Sequence, residues 1–411
     1  MKRALINPLV LLLGVWGVVF LLFSLHLSSW LIELPTDFAL LALATALCAT
    51  LGYVGAYLLP SKPRGLSARS ITSHRAGALS VVKLLFAVMC VIFPLEVIVS
   101  GGMPIFWLLT GSSKTYVDYG IPTLHGFFNA ILLFEGTLCF WLITATRASR
   151  LVKLIFVLCL LLPIAAITRQ VVMSLLAQCF VIFVGARLRG RRIKYGRIAL
   201  TIVLIMALFS VIGIVRTNSA AFRQQVAYRP GFEWVPVAFM WPYMYFTTPL
   251  NNFAYITSLD LEPTLGYSSL SSLTPTVIRE MIWGPKSDAT LVTETFNVTS
   301  FAAPIYLDFG WLGVMLFTFT LILCAVFVFR RLIRTNSLYY LMLLAILDHI
   351  IILSFFFNFL LTWGVVFQFV ILTLVKPYIV RTNAAGMYAA PSLARQTARR
   401  GFQGGQIVGA P

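Results

Sequence analysis

Apolar residues in this chain neither alternate nor keep to one helix face. They run on for about twenty positions at a time, broken by short polar clusters. A helix crossing a hydrocarbon core needs about 20 such residues. Read by hydropathy, the pattern predicts ten helices, at 8–26, 38–59, 80–100, 127–146, 151–167, 170–186, 198–215, 305–329, 338–356 and 359–375.

The fifth and sixth helices come from one stretch. Residues 151–185 are apolar almost throughout and are interrupted only by Thr168-Arg169-Gln170. As one helix they would measure about 52 Å, well beyond the hydrocarbon thickness. Two helices meeting in a tight turn at Arg169 fit better.

Charge fixes an orientation. With the N-terminus in the cytoplasm, the inner segments hold Lys62, Arg64, Arg69 and Arg75, then Arg147, Arg150 and Lys153. They also hold Arg187, Arg189, Arg191, Arg192, Lys194 and Arg197, then Arg330, Arg331 and Arg334, with no acidic residue among them. The tail adds Lys376, Arg381, Arg395, Arg399 and Arg400. This is a strong positive-inside bias. The outer face receives two substantial segments, 101–126 and 216–304, the second being the only long loop. Long loops without a function of their own are uncommon. The chain thus divides into helices with short loops (1–215), a long outer loop (216–304), three further helices (305–380) and a Gly-, Ala-, Ser- and Arg-rich tail (381–411) read as disordered. The apolar run after Met1-Lys2-Arg3 is too long for a signal peptide and lacks a clear cleavage site, so it reads as a retained first helix.

Composition narrows the class. The chain of 411 residues is 60% hydrophobic and 11% charged, with a mean hydropathy of +0.92. That excludes a soluble enzyme, a disordered protein and a secreted disulfide scaffold. The net charge of +18 lies in inter-helix clusters, so it orients the chain in a membrane rather than binding nucleic acid. Six cysteines sit inside apolar runs without CxxC spacing, and four scattered histidines form no local metal motif. No Walker A, Gly-rich dinucleotide loop or HExxH occurs, and the inner loops are too short for a nucleotide-sugar domain.

The candidate chemistry lies on the outer face. Arg169, Arg216, Arg223 and Arg279 sit where the positive-inside rule disfavours cations. Guanidinium groups bind pyrophosphate oxygens in bidentate fashion, so the four are candidates for a pyrophosphate clamp. The alternative is that they snorkel to headgroups or pair with acids of the same loop. For Arg169 and Arg216, each at a helix end, the functional reading is favoured. Between 228 and 255 the long loop is crowded with aromatic residues and interrupted by Pro236, Pro242 and Pro249. It reads as an interfacial or re-entrant helix, too broken to span. Trp234, Trp241, Tyr243 and Tyr245, with Asn251 and Asn252, are the candidate glycan platform, and a headgroup belt is the alternative.

A turn, Tyr119-Gly120-Ile121-Pro122-Thr123-Leu124-His125-Gly126, leads into the fourth helix. His125 is the candidate general base, unless it only bonds the helix start. Asp118 and Asp308 are its substitutes. Glu96, Glu135, Asp348 and His349 lie within apolar runs, and intramembrane ionisable groups are functional candidates by default. Glu135 is a possible partner for a catalytic arginine; all four equally suit a proton or ion path in a transporter. The triplet Asn297-Val298-Thr299 also matches a glycosylation sequon.

In order and spacing these features resemble the bacterial Wzy-type oligosaccharide repeat-unit polymerases, which include O-antigen polymerases. The resemblance rests on the 119–126 turn, on Thr168-Arg169, and on Val215-Arg216 with Tyr245 and Pro249-Leu250-Asn251-Asn252-Phe253 downstream. It also rests on Pro304-Ile305-Tyr306-Leu307-Asp308-Phe309-Gly310-Trp311-Leu312-Gly313. It covers most of 100–315. It implies an all-α integral membrane protein of GT-C-like fold in the bacterial inner membrane, with both termini cytoplasmic and its site periplasmic. It implies a glycosyltransferase that needs neither metal nor nucleotide. The donor and acceptor would be undecaprenyl-pyrophosphate-linked oligosaccharides, and the partners membrane lipids, a chain-length regulator and a flippase of the same pathway, with no nucleic acid. An O-antigen ligase is the nearest rival. A transporter or flippase for lipid-linked glycans is the rival of another class, and a structural partner in a polysaccharide assembly is a third.

Overall fold

A computed structural model describes residues 2–60, 75–146, 148–188, 219–259, 261–274, 276–284, 291–292 and 296–380, with isolated positions between 193 and 210. Apart from a few of those positions, the predicted helix 198–215, and with it Arg216 and the tail 381–411, lie outside the described residues. Those described are helical, with one isolated bridge between Ser28 and Tyr228.

In chain order the helices are α1 (Pro8–Phe23), α2 (Thr36–Leu58), α3 (Arg75–Ser100), α4 (Pro104–Thr110), α5 (Leu124–Ala145), α6 (Arg150–Ala165) and α7 (Arg169–Gly185). Then follow α8 (Ser219–Val226), α9 (Val237–Ser258), α10 (Thr276–Trp283), α11 (Ala302–Thr335), α12 (Leu338–Ile352) and α13 (Trp363–Ile379). A helix stands at nine of the ten predicted positions. α2, the α3–α4 run, α5 and α11 are long and apolar enough to cross a membrane, while α1, α7, α12 and α13 are shorter apolar helices. The chain is therefore an α-helical protein of membrane character.

Surface and interior agree with that. α2 leaves Leu40, Leu43, Leu47, Leu51, Val54 and Leu58 exposed, and α3 leaves Leu84, Val91, Ile98 and Val99 exposed. Soluble monomers rarely show apolar faces this extended. α5 is the inner helix, and α3, α6, α7 and α13 pack around it. α2 lies along α11, so close that a Cβ on Gly52 would come within 2.5 Å of the Phe319 carbonyl oxygen. α12 joins the two groups by packing on α7, α11, α13 and α1.

Local chemistry accounts for the ends. Asn7 caps α1, its Oδ1 accepting from the Leu9 N–H at 3.1 Å, and Pro8 takes the first helical position, where no N–H is needed. The aromatic segment differs from expectation. It is one continuous 22-residue helix, α9, largely buried and packed on α1. Pro242 removes the N–H that would bond the Ala238 carbonyl, and the Ser210 hydroxyl donates to that carbonyl at 2.7 Å instead. The Ala238 carbonyl thus keeps a partner, supplied from another part of the chain.

Candidate functional site

α6 and α7 meet at the predicted turn. Ile167 takes φ of +57°, which a β-branched residue seldom adopts. The Thr168 N–H and hydroxyl both return to the Pro163 carbonyl, at 2.8 and 3.1 Å. Thr168 therefore closes α6 and gives α7 no side-chain cap. The first turn of α7 keeps its uncapped N–H groups and the positive end of the helix dipole.

Arg169 opens that turn. Its guanidinium carbon lies 5.2 Å from the ring centre of Tyr245 and 5.8 Å from that of Trp241, both on α9. The rings are themselves fixed. Trp241 stacks on Phe222 at 3.9 Å, and Tyr245 stacks on Phe356 at 6.0 Å. A cation held over aromatic faces has its position set before any anion arrives. Arg169, Gln170 and Tyr245 open onto a cavity of about 330 Å³, closed by Tyr116 from the segment between α4 and α5, by Phe296, Asn297 and Val298, and by Phe355, Phe356 and Phe357. Its size suits a small ligand or headgroup. A second cavity of about 350 Å³, between α1, α2 and α11, has walls such as Leu12, Phe20, Leu43 and Val314 and brings no charge to a reacting atom.

The other expected residues are spread out. Arg223 lies over Tyr228 at 5.7 Å, and Arg279 is half-buried on α10; neither lines the Arg169 cavity. Trp234 is 76% exposed. Tyr243 and the two asparagines are occupied by the fold. The Tyr243 hydroxyl accepts from the Leu27 N–H at 3.0 Å. Asn251 accepts from the Ile32 N–H at 2.8 Å and donates to the Trp30 carbonyl at 2.9 Å. Asn252 donates to the Phe296 and Val298 carbonyls at 2.8 and 2.9 Å, and so shapes the peptide that carries Asn297. Buried bonds of this kind each contribute about 1 kcal/mol. The aromatic cluster serves the cavity through Trp241 and Tyr245, while its asparagines staple neighbouring loops.

The two substitute bases have structural duties. Asp118 is exposed and accepts from the Thr115 N–H at 2.7 Å and the Thr115 hydroxyl at 3.1 Å. Those bonds hold its carboxyl below the ordinary aspartate value. Asp308 is buried and accepts from the Thr264 hydroxyl, the Ser268 N–H at 3.0 Å and the Ser269 N–H at 2.8 Å. It caps the short turn Tyr267–Leu270. His125 sits in the first turn of α5, with its Nδ1 3.1 Å from Oε2 of the buried Glu96.

A polar layer crosses the buried centre. Gln178 of α7 accepts from the Thr137 hydroxyl at 2.8 Å, and its amide nitrogen reaches Gln368 Oε1 at 2.9 Å and His349 Nδ1 at 3.2 Å. Both oxygens of Glu135 and of Asp348 are buried without a hydrogen-bond partner among the described residues. Sequence reasoning missed the glutamines, the Glu96–His125 contact and the Phe355-Phe356-Phe357 wall. The run Phe355-Phe356-Phe357-Asn358-Phe359 is dense enough to have drawn notice; the pairings carry no local signal. Among the described residues no three His, Cys, Asp or Glu side chains gather to hold a metal ion. No family model, curated protein or solved structure matches this chain.

Proposed function

We propose that this protein is a membrane glycosyltransferase that polymerises oligosaccharide repeat units carried on undecaprenyl pyrophosphate, at the periplasmic face of a bacterial inner membrane. The GT-C-like architecture, the ten spans, and a chain-length regulator and flippase as partners belong to the same proposal. The observation that carries it is Arg169: a cation on the positive end of a helix, held over two aromatic rings, on the wall of a cavity.

The chemistry asks for little else. An acceptor sugar hydroxyl attacks the anomeric carbon of the donor glycan. The new C–O bond forms as the anomeric carbon's bond to the pyrophosphate oxygen breaks, and the electron pair leaves with the lipid pyrophosphate. A fixed guanidinium stabilises charge developing there. Aromatic faces hold sugar rings in line for attack. A base takes the hydroxyl proton.

A transporter for lipid-linked glycans is the second reading, favoured by the buried carboxyl groups of Glu135 and Asp348, which find no hydrogen-bond partner among the described residues. Deletion of the gene in its host, with surface and lipid-linked glycans resolved on a gel, separates the readings. A single repeat on the surface with the long ladder gone supports the polymerase. Long chains left on the carrier mean a ligase, and repeats trapped on the cytoplasmic leaflet mean a flippase. An unchanged pattern overturns all three.

A further inference from the structure

Glu96 lies near the outer end of α3, fully buried, and its Oε2 is 3.1 Å from His125 Nδ1. Its other oxygen is buried with no hydrogen-bond partner among the described residues. A buried carboxylate with one partner is a costly way to pack a helix, and an apolar or amide side chain would fill the space at less cost. The imidazole is the one side chain that bonds this carboxyl among the described residues.

The ring is held on its other sides. Tyr119 meets it edge-on at 5.5 Å, and Phe128 stacks on it at 6.5 Å. Gly120, at φ +97°, lies so close that a Cβ there would come within 2.6 Å of the ring. Its N–H donates to the Ser100 hydroxyl at 2.9 Å, which ties the turn to the end of α3. Thr123, at φ +68°, sets the ring's entry into α5. Thr123 and Ile167 are the two β-branched residues with positive φ among the described residues, and each stands two positions before a candidate side chain, His125 and Arg169. Strain of this kind persists only where the surroundings hold it, and it gathers at working sites.

The remaining charged neighbours do not compete for the ring. Lys114 donates to the Ser100 carbonyl at 2.8 Å, and Asp118 is occupied by Thr115. Burial, and after it the Glu96 carboxylate, push the Tyr119 phenol up to about 12, so it keeps its proton. Tyr119 also packs in one apolar cluster with Ala166, three residues before Arg169, and Tyr116 lines the Arg169 cavity. The turn that leads into His125 thus reaches both the end of α6 and the Arg169 cavity.

We infer that Glu96 is a positioning residue: by accepting the Nδ1–H of His125 it fixes the tautomer whose Nε2 is free to take the acceptor hydroxyl's proton. The His125 side chain is 24% exposed, and no hydrogen bond engages Nε2 among the described residues. As the glycosidic bond forms, the proton passes to Nε2, the electron pair leaves with the pyrophosphate, and Glu96 keeps the hydrogen bond from the Nδ1–H of the resulting imidazolium. This inference rests on the polymerase reading for its acceptor and donor.

The test uses the full-length protein and lipid-linked repeats extracted from the deletion strain. Glu96→Gln is expected to lower kcat by about 100-fold with KM nearly unchanged, and Glu96→Asp to recover part of that loss. His125→Gln should lose at least as much. Nitrogen-15 histidine spectra, with His125→Gln assigning the signal, should show protonated Nδ1 in the native protein and a changed tautomer in Glu96→Gln. Native turnover in either Glu96→Gln or His125→Gln overturns the inference. So does a lowered rate with the tautomer unchanged and no recovery in Glu96→Asp, which marks a purely structural glutamate. If those variants keep native rates while Arg169→Ala is inactive, the dyad falls and the polymerase reading stands. If the native protein transfers nothing, that reading falls and the spectra alone decide whether Glu96 sets the tautomer.

Discussion

The guanidinium of Arg169 lies 5.2 Å from the ring centre of Tyr245, and this contact joins the first residue of α7 to the middle of α9. It sets the cation at the cavity wall, over an aromatic face. Replacement tests the arrangement. Arg169→Ala is expected to lower glycan transfer by about 100-fold or more, with protein levels unchanged. Arg169→Lys should recover little, because an ammonium keeps the charge and loses the planar fork. Chain-length ladders from complemented deletion strains give the readout, and native ladders from Arg169→Ala remove Arg169 from the scheme.

Tyr245 separates ring from hydroxyl. Tyr245→Phe retains the aromatic face under Arg169 and should behave like the native protein. Tyr245→Ala removes it and should raise KM by about two- to thirtyfold, the worth of one cation–π contact. Steady-state transfer at varied donor concentration checks this. Equal KM values in the two variants mean that the ring does not position the arginine.

Asp308 is expected to act through stability. Its removal in Asp308→Ala leaves the Ser268 and Ser269 N–H groups without their acceptor, at a cost of about 3 kcal/mol. Thermal unfolding in detergent should show the loss, and protein that folds should still bind donor. An Asp308→Ala variant of native stability that is inactive would return Asp308 to the list of candidate bases.

Asp118 predicts a pH dependence. Its folded-state value lies below 3.8 because Thr115 donates two hydrogen bonds to the charged form. A carboxyl depressed on folding favours the ordered turn above 3.8 and stops doing so as pH falls through the lowered value. Asp118→Asn should therefore loosen residues 115–119 at neutral pH and differ little from the native chain in stronger acid. A spin label at Val117→Cys, on an exposed side chain, reports the mobility. A difference that persists undiminished in acid refutes the mechanism.

The sequence by itself determined the membrane character, the positions of nine described helices and the break at Arg169, because these depend on local properties. A run of apolar residues meets its hydrocarbon requirement wherever its neighbours are, and a polar triplet in such a run ends a helix. The arginine and the two rings that matter were visible as residue types for the same reason. Tertiary structure decided what each side chain does. Glu96 finds His125 29 residues away and Asn251 finds Ile32 219 residues away; no spacing rule reaches so far. The Ala238 carbonyl, left without its helical N–H by Pro242, finds the Ser210 hydroxyl on another segment. Apolar burial is nearly indifferent to which helix lies beside which, whereas a buried hydrogen bond is made with one partner or not at all. Packing therefore gave Asp308 and the asparagines their hydrogen-bond partners, and set Arg169 against Tyr245 and His125 against Glu96.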